Sequence, residues 1–295
     1  MPALGNALGL PFQRRGASFV GALDAYTTNM DAAWSVSRRL LTSYSGSLIR
    51  VRRSSDNNEQ DIGYSAATGL LDTASLLSFV GAGNGFVTKV YAQSGGSTKD
   101  FVQTTAAAQM RIVNAGSLVT AGTNNRATAE VVTASTQFMA TASFTTVAAS
   151  SLTMSGFFRI VSSSPSGRIF GACEAGSADA APTGGWLPVY AASPGLSSYN
   201  NTNRASLTVT MPQNLSVSSL CISTGHTLRI AGSSNTSSFI PTAASLNHYL
   251  LFCFNTTGGS SHAGDMFGEN CVWTANRDSD QTAILAERNT FYGAP

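Results

Sequence analysis

Acidic residues are missing from the middle of this chain: between Asp179 and Asp265 there is no Asp or Glu. That gap removes the usual source of catalytic carboxylates from most of the second half. Charge is thin throughout, at 11% of residues against roughly 25% in an average globular protein. With a net charge of +2 there is no basic stripe to compete for phosphate backbones, so nucleic acid is not an expected partner. The four cysteines, Cys173, Cys221, Cys253 and Cys271, form no C-x-x-C pair, and His226, His248 and His262 are scattered. Neither a zinc site nor a redox dithiol is expected, and no metal or cofactor is called for. The cysteines read as core residues, with a Cys253–Cys271 disulfide left open. Apolar runs such as YLLFCF at 249–254 fall far short of the roughly 20 residues of a membrane helix, so no membrane partner is expected. In MPALGNALGLPFQRRG the arginines follow the apolar stretch, the reverse of a secretory signal. No repeat of solenoid or propeller length is present.

What is present is apolar and small: 43% hydrophobic residues, enough for a sizeable core, beneath a surface of hydroxyls and amides. Residues 1–19 are rich in Gly and Pro and read as an extended arm, with 20–295 as one domain. Met30, Ala33, Trp34, Leu40, Leu41 and Tyr44 recur at helical spacing, which predicts a helix over 30–44. SLIRVRR reads as a strand, DTASLLSFV as a short helix capped by Asp72 and stopped at Gly81, and FVTKVYAQ as a further strand. From about residue 130 the chain turns to β-rich runs separated by Ser, Gly and Asn: QFMATASFTTV, SLTMSGFFRIV, RIFGACEA, WLPVYAA, ASLTVTM, TLRIAG, HYLLFCF and MFGENCVWTA. Eight such runs predict a sandwich or jelly roll. DSDQTAILAERNTFYG closes the chain as a helix capped by Asp278 or Ser279, presenting Ile284, Leu285 and Phe291.

One stretch concentrates charge. RVRRSSDNNEQDIG, residues 50–63, holds three arginines and three carboxylates. It lacks the order of a calcium loop, and bidentate pairing of Arg50, Arg52 or Arg53 with Asp56, Glu59 or Asp61 would pin a turn to the body. GAGNG at 81–85 precedes a strand and reads as a turn, not a nucleotide loop.

RRLLTSYSGSLIRVRRSSDNNEQDIG, followed by LDTASLLSFVGAGNGFVTKVYAQSGGSTKDFVQTTAAAQMRIVNAG, resembles the N-terminal part of the catalytic domain of fungal-type α-L-arabinofuranosidase B. It looks even more like the many phage and prophage virion proteins that carry the same module. HYLLFCFNTTGG, GDMFGENCVW and the final FYG are similar to the concanavalin-like lectin sandwich of those proteins. The resemblance implies a mainly β, concanavalin-like jelly-roll sandwich with a few short helices. Where the family reads YDQSGNG this chain reads YAQSGGS, with Ala92 for the aspartate. The family's general acid lies in a Gly-Gly-Asp loop before the last strand; the matching TTGGSSHAGD places Ser260 and Ser261 after the glycines and delays the carboxylate to Asp265.

A glycosidase needs two carboxylates facing across the sugar. Glu174, Asp179, Asp265 and Glu269 are the remaining candidates, with Asp265 and Glu269 the ones to test for catalysis. Ser, His and Asp within SSHAGD are too close in one loop for triad geometry. Trp186, Tyr190 and Tyr199, beside SSYNNTNR, are candidates for a sugar-binding face, the plainer reading being core Trp and loop Tyr.

Loss of the expected carboxylates together with the resemblance implies a non-catalytic structural protein on the surface of a tailed-phage virion, as capsid decoration, head fibre or tail component. Its partners would then be the major capsid or tail proteins, with Phe12, Arg14, Arg15 and Phe19 of the arm as attachment residues. Self-association, with a trimer as candidate, follows from small neutral surface residues. A glycan-binding adhesin recognising a host surface glycan and an arabinofuranosidase-like hydrolase are the alternatives.

Overall fold

The structure, a computed structural model, describes residues 19–134, 136–148, 151–160, 167–174, 185–192, 195–200, 203–208, 213–222, 225–230, 233–237, 245–253, 256–257 and 264–294. It is a mainly β, jelly-roll-like sandwich, and every ladder among these residues is antiparallel. One sheet runs, neighbour to neighbour, Ser233–Ser237, Gly225–Ile230, Gln213–Ile222, Thr153–Ile160, Met266–Trp273 and Met30–Ser35. The other starts Glu59–Ile62, Ile49–Arg53, Gly85–Val90, Phe101–Val102, Met139–Thr141. It continues through His248–Leu251, Gly167–Cys173, Gly185–Ala192, Gly195–Asn200 and Asn203–Thr208. Met110–Asn114 and Ala129–Glu130 tie the two together at one edge.

Alternation along the strands sends every second side chain inward. From the first sheet come Ala32, Trp34, Met154, Phe158 and Val272; from the second Val51, Val87, Phe101, Met139, Phe170, Tyr249 and Leu251. Trp34 sits at the meeting point, 4.6 Å from the Phe101 ring, 5.4 Å from Tyr249 and 6.4 Å from Phe170. Its Nε1 donates to the Lys99 carbonyl at 2.7 Å, so the indole is buried without stranding its one donor. Each such fully buried side chain is worth about 1.5–3 kcal/mol over exposure.

Among the described residues two α-helices decorate the sandwich. Helix α1 (Thr73–Val80) begins where its sequence says it should: Asp72 accepts from the Ser75 N–H at 3.0 Å, and Gly81 ends it with φ of 66°. Helix α2 (Asp278–Tyr292) lies on the outer face of the first sheet. Ile284 packs on Ala33, Cys271 and Trp273, and Tyr292 stacks on Phe157 at 3.5 Å. Asp278 is the first residue of α2 rather than its cap, with its carboxylate turned to Arg229 at 2.6 Å.

The helix predicted over 30–44 does not form. Met30–Ser35 is a strand, and because α2 covers the sheet's outer face, Ala32, Ala33 and Trp34 are all buried. A strand buried on both sides loses its alternation, and Met30, Ala33 and Trp34 then imitate helical spacing. The Cys253–Cys271 disulfide is also absent. Both are free thiols; Cys253 donates to the Met139 carbonyl and Cys271 to the Ser155 carbonyl, on different sheets.

Candidate functional site

The charged hairpin resolves into local pairs. Arg50 holds Asp61 at 2.7 and 3.0 Å, and Arg53 holds Asp56 at 2.8 and 2.6 Å. The Arg53 fork also reaches the Phe79 carbonyl at 3.1 Å, tying the turn to α1 as the pairing argument required. Asp56 and Asp61 are both held below the ordinary carboxylate range, chiefly by hydrogen bonds from Arg53 and Arg50. At the altered YAQSGGS turn the Ala92 N–H donates to Asp100 Oδ1 at 2.9 Å. Gln93 of the same turn is buried glue: its Oε1 accepts from Leu40 N–H at 2.6 Å and its Nε2 donates to the Arg38 carbonyl at 3.0 Å.

The second sheet carries its hairpin charges on the face turned away from the core. Asp61, Arg50, Lys89, Val102, Ala140, Leu250 and Gly171 are successive cross-strand partners on this outer face. Midway along it lies a cavity of about 350 Å³ lined by Val102, Gln103, Thr104, Thr105, Phe138, Ala140, Thr256 and Thr257. Hydroxyls, one amide and one aromatic ring are the chemistry of a neutral sugar site. Thr256 and Thr257 open the TTGGSSHAGD loop in which the resemblance places the family's acid.

Two residues further along the same face, Cys173 is the partner of His248. Ladder spacings put His248 about 8 Å and Cys173 about 12 Å from Ala140. His248 is buried, and desolvation lowers its pKa. With its Nδ1 donating to Asn247 Oδ1 at 2.7 Å, a neutral ring keeps a lone pair on Nε2. Glu174 follows Cys173 and is exposed.

The other candidate carboxylates fare differently. Asp265 is fully buried. Glu269 is only 1% exposed and lies on the opposite sheet, beneath α2, where Arg38 donates to it at 2.9 and 3.1 Å and Arg288 at 2.8 Å. Burial alone would raise its pKa, but the two guanidiniums outweigh that and hold it below the ordinary value. Held as an anion and walled from solvent, Glu269 serves as the counter-ion of two guanidiniums. Asp179 lies outside the described residues, as do Ser260, Ser261 and His262.

Of the aromatic candidates, register places Trp186 opposite Ala172, Tyr190 opposite Arg168 and Ser197, and Tyr199 opposite Leu187 and Arg204. Phe12, Arg14 and Arg15 fall outside the described residues. Phe19 is described: its ring lies 4.0 Å from the Arg39 guanidinium, which is also 4.7 Å from the Tyr64 ring. The sequence reading missed Gln103, Thr105 and Phe138 of the cavity. Neutral residues in short loop segments carry no periodic signal, and only the fold brings them together.

Residues 23–151, less than half of the chain, match the family described as Alpha-L-arabinofuranosidase B, catalytic. Among curated proteins no sequence matches. The chain is similar in structure to a mutant of GH54 α-L-arabinofuranosidase soaked with 4-nitrophenyl α-L-arabinofuranoside: TM-score 0.68, 17% identity, covering 90% of this chain and 65% of that one. An arabinofuranosidase complexed with arabinofuranosyl-α-1,2-xylobiose gives 0.64 and 18% with the same coverage. The chain therefore spans about two thirds of the length of these structures, and at such identities the likeness is one of fold. The expectation of a non-catalytic virion protein, whether capsid decoration, head fibre or tail component, is overturned. What residues 23–151 match is the model of a catalytic domain, and the two structures just described are arabinofuranosidases. Residues 23–151 thus match the model of an arabinofuranosidase catalytic domain, and the chain shares the fold of the arabinofuranosidase structures.

Proposed function

We propose that the chain is a glycoside hydrolase of the α-L-arabinofuranosidase type, working on the outer face of its second sheet. The observation that carries this is the cavity beside Thr256 and Thr257, on a sandwich whose first half matches an arabinofuranosidase catalytic domain. Elimination narrows the carboxylates. With Asp265 and Glu269 buried, Glu174, exposed just past the end of the Gly167–Cys173 strand, is the candidate carboxylate, and Asp179, five residues on, is its candidate partner. Hydrolysis with retention needs the two about 5–5.5 Å apart and inversion about 6.5–9.5 Å. The neutral, hydroxyl-lined cavity would seat the sugar ring, and His248 would orient a hydroxyl or water near the scissile bond through Nε2.

The test is arabinose release from arabinosylated xylo-oligosaccharides by the wild type, Glu174→Gln and Asp179→Asn. Removing an acid or base is expected to cut kcat by about 10²–10⁴-fold with the melting temperature unchanged. Glycan binding with no turnover by the wild type would make the face a recognition surface and overturn the hydrolase reading.

A further inference from the structure

Arg52 differs from Arg50, Lys89 and Arg111 around it. Arg50 is paired with Asp61 at 2.7 Å, Lys89 with Asp100 at 3.4 Å and Arg111 with Glu130 at 2.6 Å. Arg52 instead donates from Nε to Gln109 Oε1 at 2.8 Å and from Nη1 to Asn57 Oδ1 at 2.7 Å. Its guanidinium lies 4.9 Å from the centre of the Phe86 ring. Glu59, opposite it in the ladder, accepts from the Thr88 hydroxyl at 3.3 Å. The guanidinium is thus fixed by two neutral amides and a ring, none of which cancels its charge, and among the described residues Nη2 has no partner.

The amide that holds Arg52 also builds the cavity. Gln109 is 2% exposed, and its Nε2 donates to the Gln103 carbonyl at 3.0 Å. Gln103 in turn accepts from Thr105 N–H at 2.9 Å and donates to the Phe138 carbonyl at 3.0 Å. Arg52 is therefore joined to three residues of the cavity wall through two glutamines, and its position is set by the same bonds that shape the sugar site.

We infer that Arg52 reads a carboxylate on the bound glycan, so that the preferred substrates are arabinosylated glycans that also carry uronic-acid residues. A carboxylate oxygen can accept a charge-assisted hydrogen bond from the unpartnered Nη2. The stack on Phe86 and the two amides pre-order the fork, so little side-chain entropy is lost when the anion arrives. This inference rests on the arabinofuranosidase reading of the same face.

The test is calorimetric titration of the full chain with an arabinosylated xylo-oligosaccharide and with its counterpart bearing one uronic acid, for wild type, Arg52→Gln and Arg52→Lys. Wild type is expected to bind the acidic glycan about tenfold tighter or better, the scale of a charge-assisted bond, with the preference shrinking as salt is added. Arg52→Gln should bind both glycans as the wild type binds the neutral one, and Arg52→Lys should keep part of the preference. Equal wild-type affinities, or a preference that survives Arg52→Gln, would overturn the inference and leave the arabinofuranosidase reading standing. Should Arg52→Gln fail to fold, the wild-type pair and its salt dependence still decide. Binding of neither glycan would overturn the arabinofuranosidase reading, and this inference with it.

Discussion

Glu269 concentrates the electrostatics of the molecule in one carboxylate. Arg38 reaches from it to Glu287 at 2.6 Å, and Arg288 reaches on to Ser155 Oγ at 2.6 Å and Cys271 Sγ at 3.4 Å. The Cys271 thiol, pushed up to about 12 mainly by burial, stays protonated. Taking away the carboxylate leaves two buried guanidiniums short of their counter-ion, so Glu269→Gln is expected to cost about 3–5 kcal/mol in urea unfolding. A loss below about 1 kcal/mol would mean that the network is not what holds α2 down. The same carboxylate sets a pH dependence. Its folded pKa lies below the ordinary 4.5, so its stabilisation is complete above that value and is lost as pH falls through the folded pKa. Melting temperatures taken downward from neutral pH should hold until about pH 5 and then fall, and Glu269→Gln should flatten that fall. The sequence shows a Glu in the apolar run MFGENCVW without showing that two arginines, one more than two hundred residues away, converge on it. For that reason it looked like a catalytic candidate.

At the scale of elements, α2 is fastened at its far end by a hairpin turn. Thr123 N–H donates to the Gly293 carbonyl at 3.3 Å, Asn124 N–H to the Tyr292 carbonyl at 3.2 Å, and Asn124 Nδ2 to the Thr290 carbonyl at 2.9 Å. Gly122 sits in this turn with φ of 73°, and a Cβ there would collide with the Tyr292 carbonyl. Gly122→Ala is therefore expected to destabilise by more than about 1 kcal/mol, with amide exchange rising first at the end of α2. Exchange spread evenly over both sheets would contradict this. Elements with a local code were legible: Asp72 and Gly81 bracket α1, and the apolar runs at 153–160 and 266–273 are strands. Elements shaped by distant partners were not. Met30–Ser35 imitates a helix because α2 buries its second face. Gln213–Ile222 hides because its Ser-rich QNLSVSSLCI reads as linker, although it pairs along the whole of Thr153–Ile160.

At the scale of the whole molecule, the two sheets have different tasks. The first is sealed by α2 and its buried ions, which makes it the rigid floor. The second carries on its outer face charge pairs at one end, a hydroxyl-lined cavity in the middle, and Cys173 and His248 beyond, with no helix over it among the described residues. That division was only half legible in the sequence. The arginine-rich strand and its turn announced the family resemblance, whereas the cavity is assembled from Val102 through Thr257 and has no linear signature. The carboxylate-free stretch from 180 to 264 argued against catalysis, but it leaves Glu174 and Asp179 untouched at its edge.

The central claim is that this outer face cleaves arabinofuranosides, and the most direct measurement is release of 4-nitrophenol from 4-nitrophenyl α-L-arabinofuranoside by the purified full chain. The account predicts saturable turnover above the buffer rate that is lost in Glu174→Gln. A wild-type rate equal to buffer, from protein shown to be folded, would contradict it.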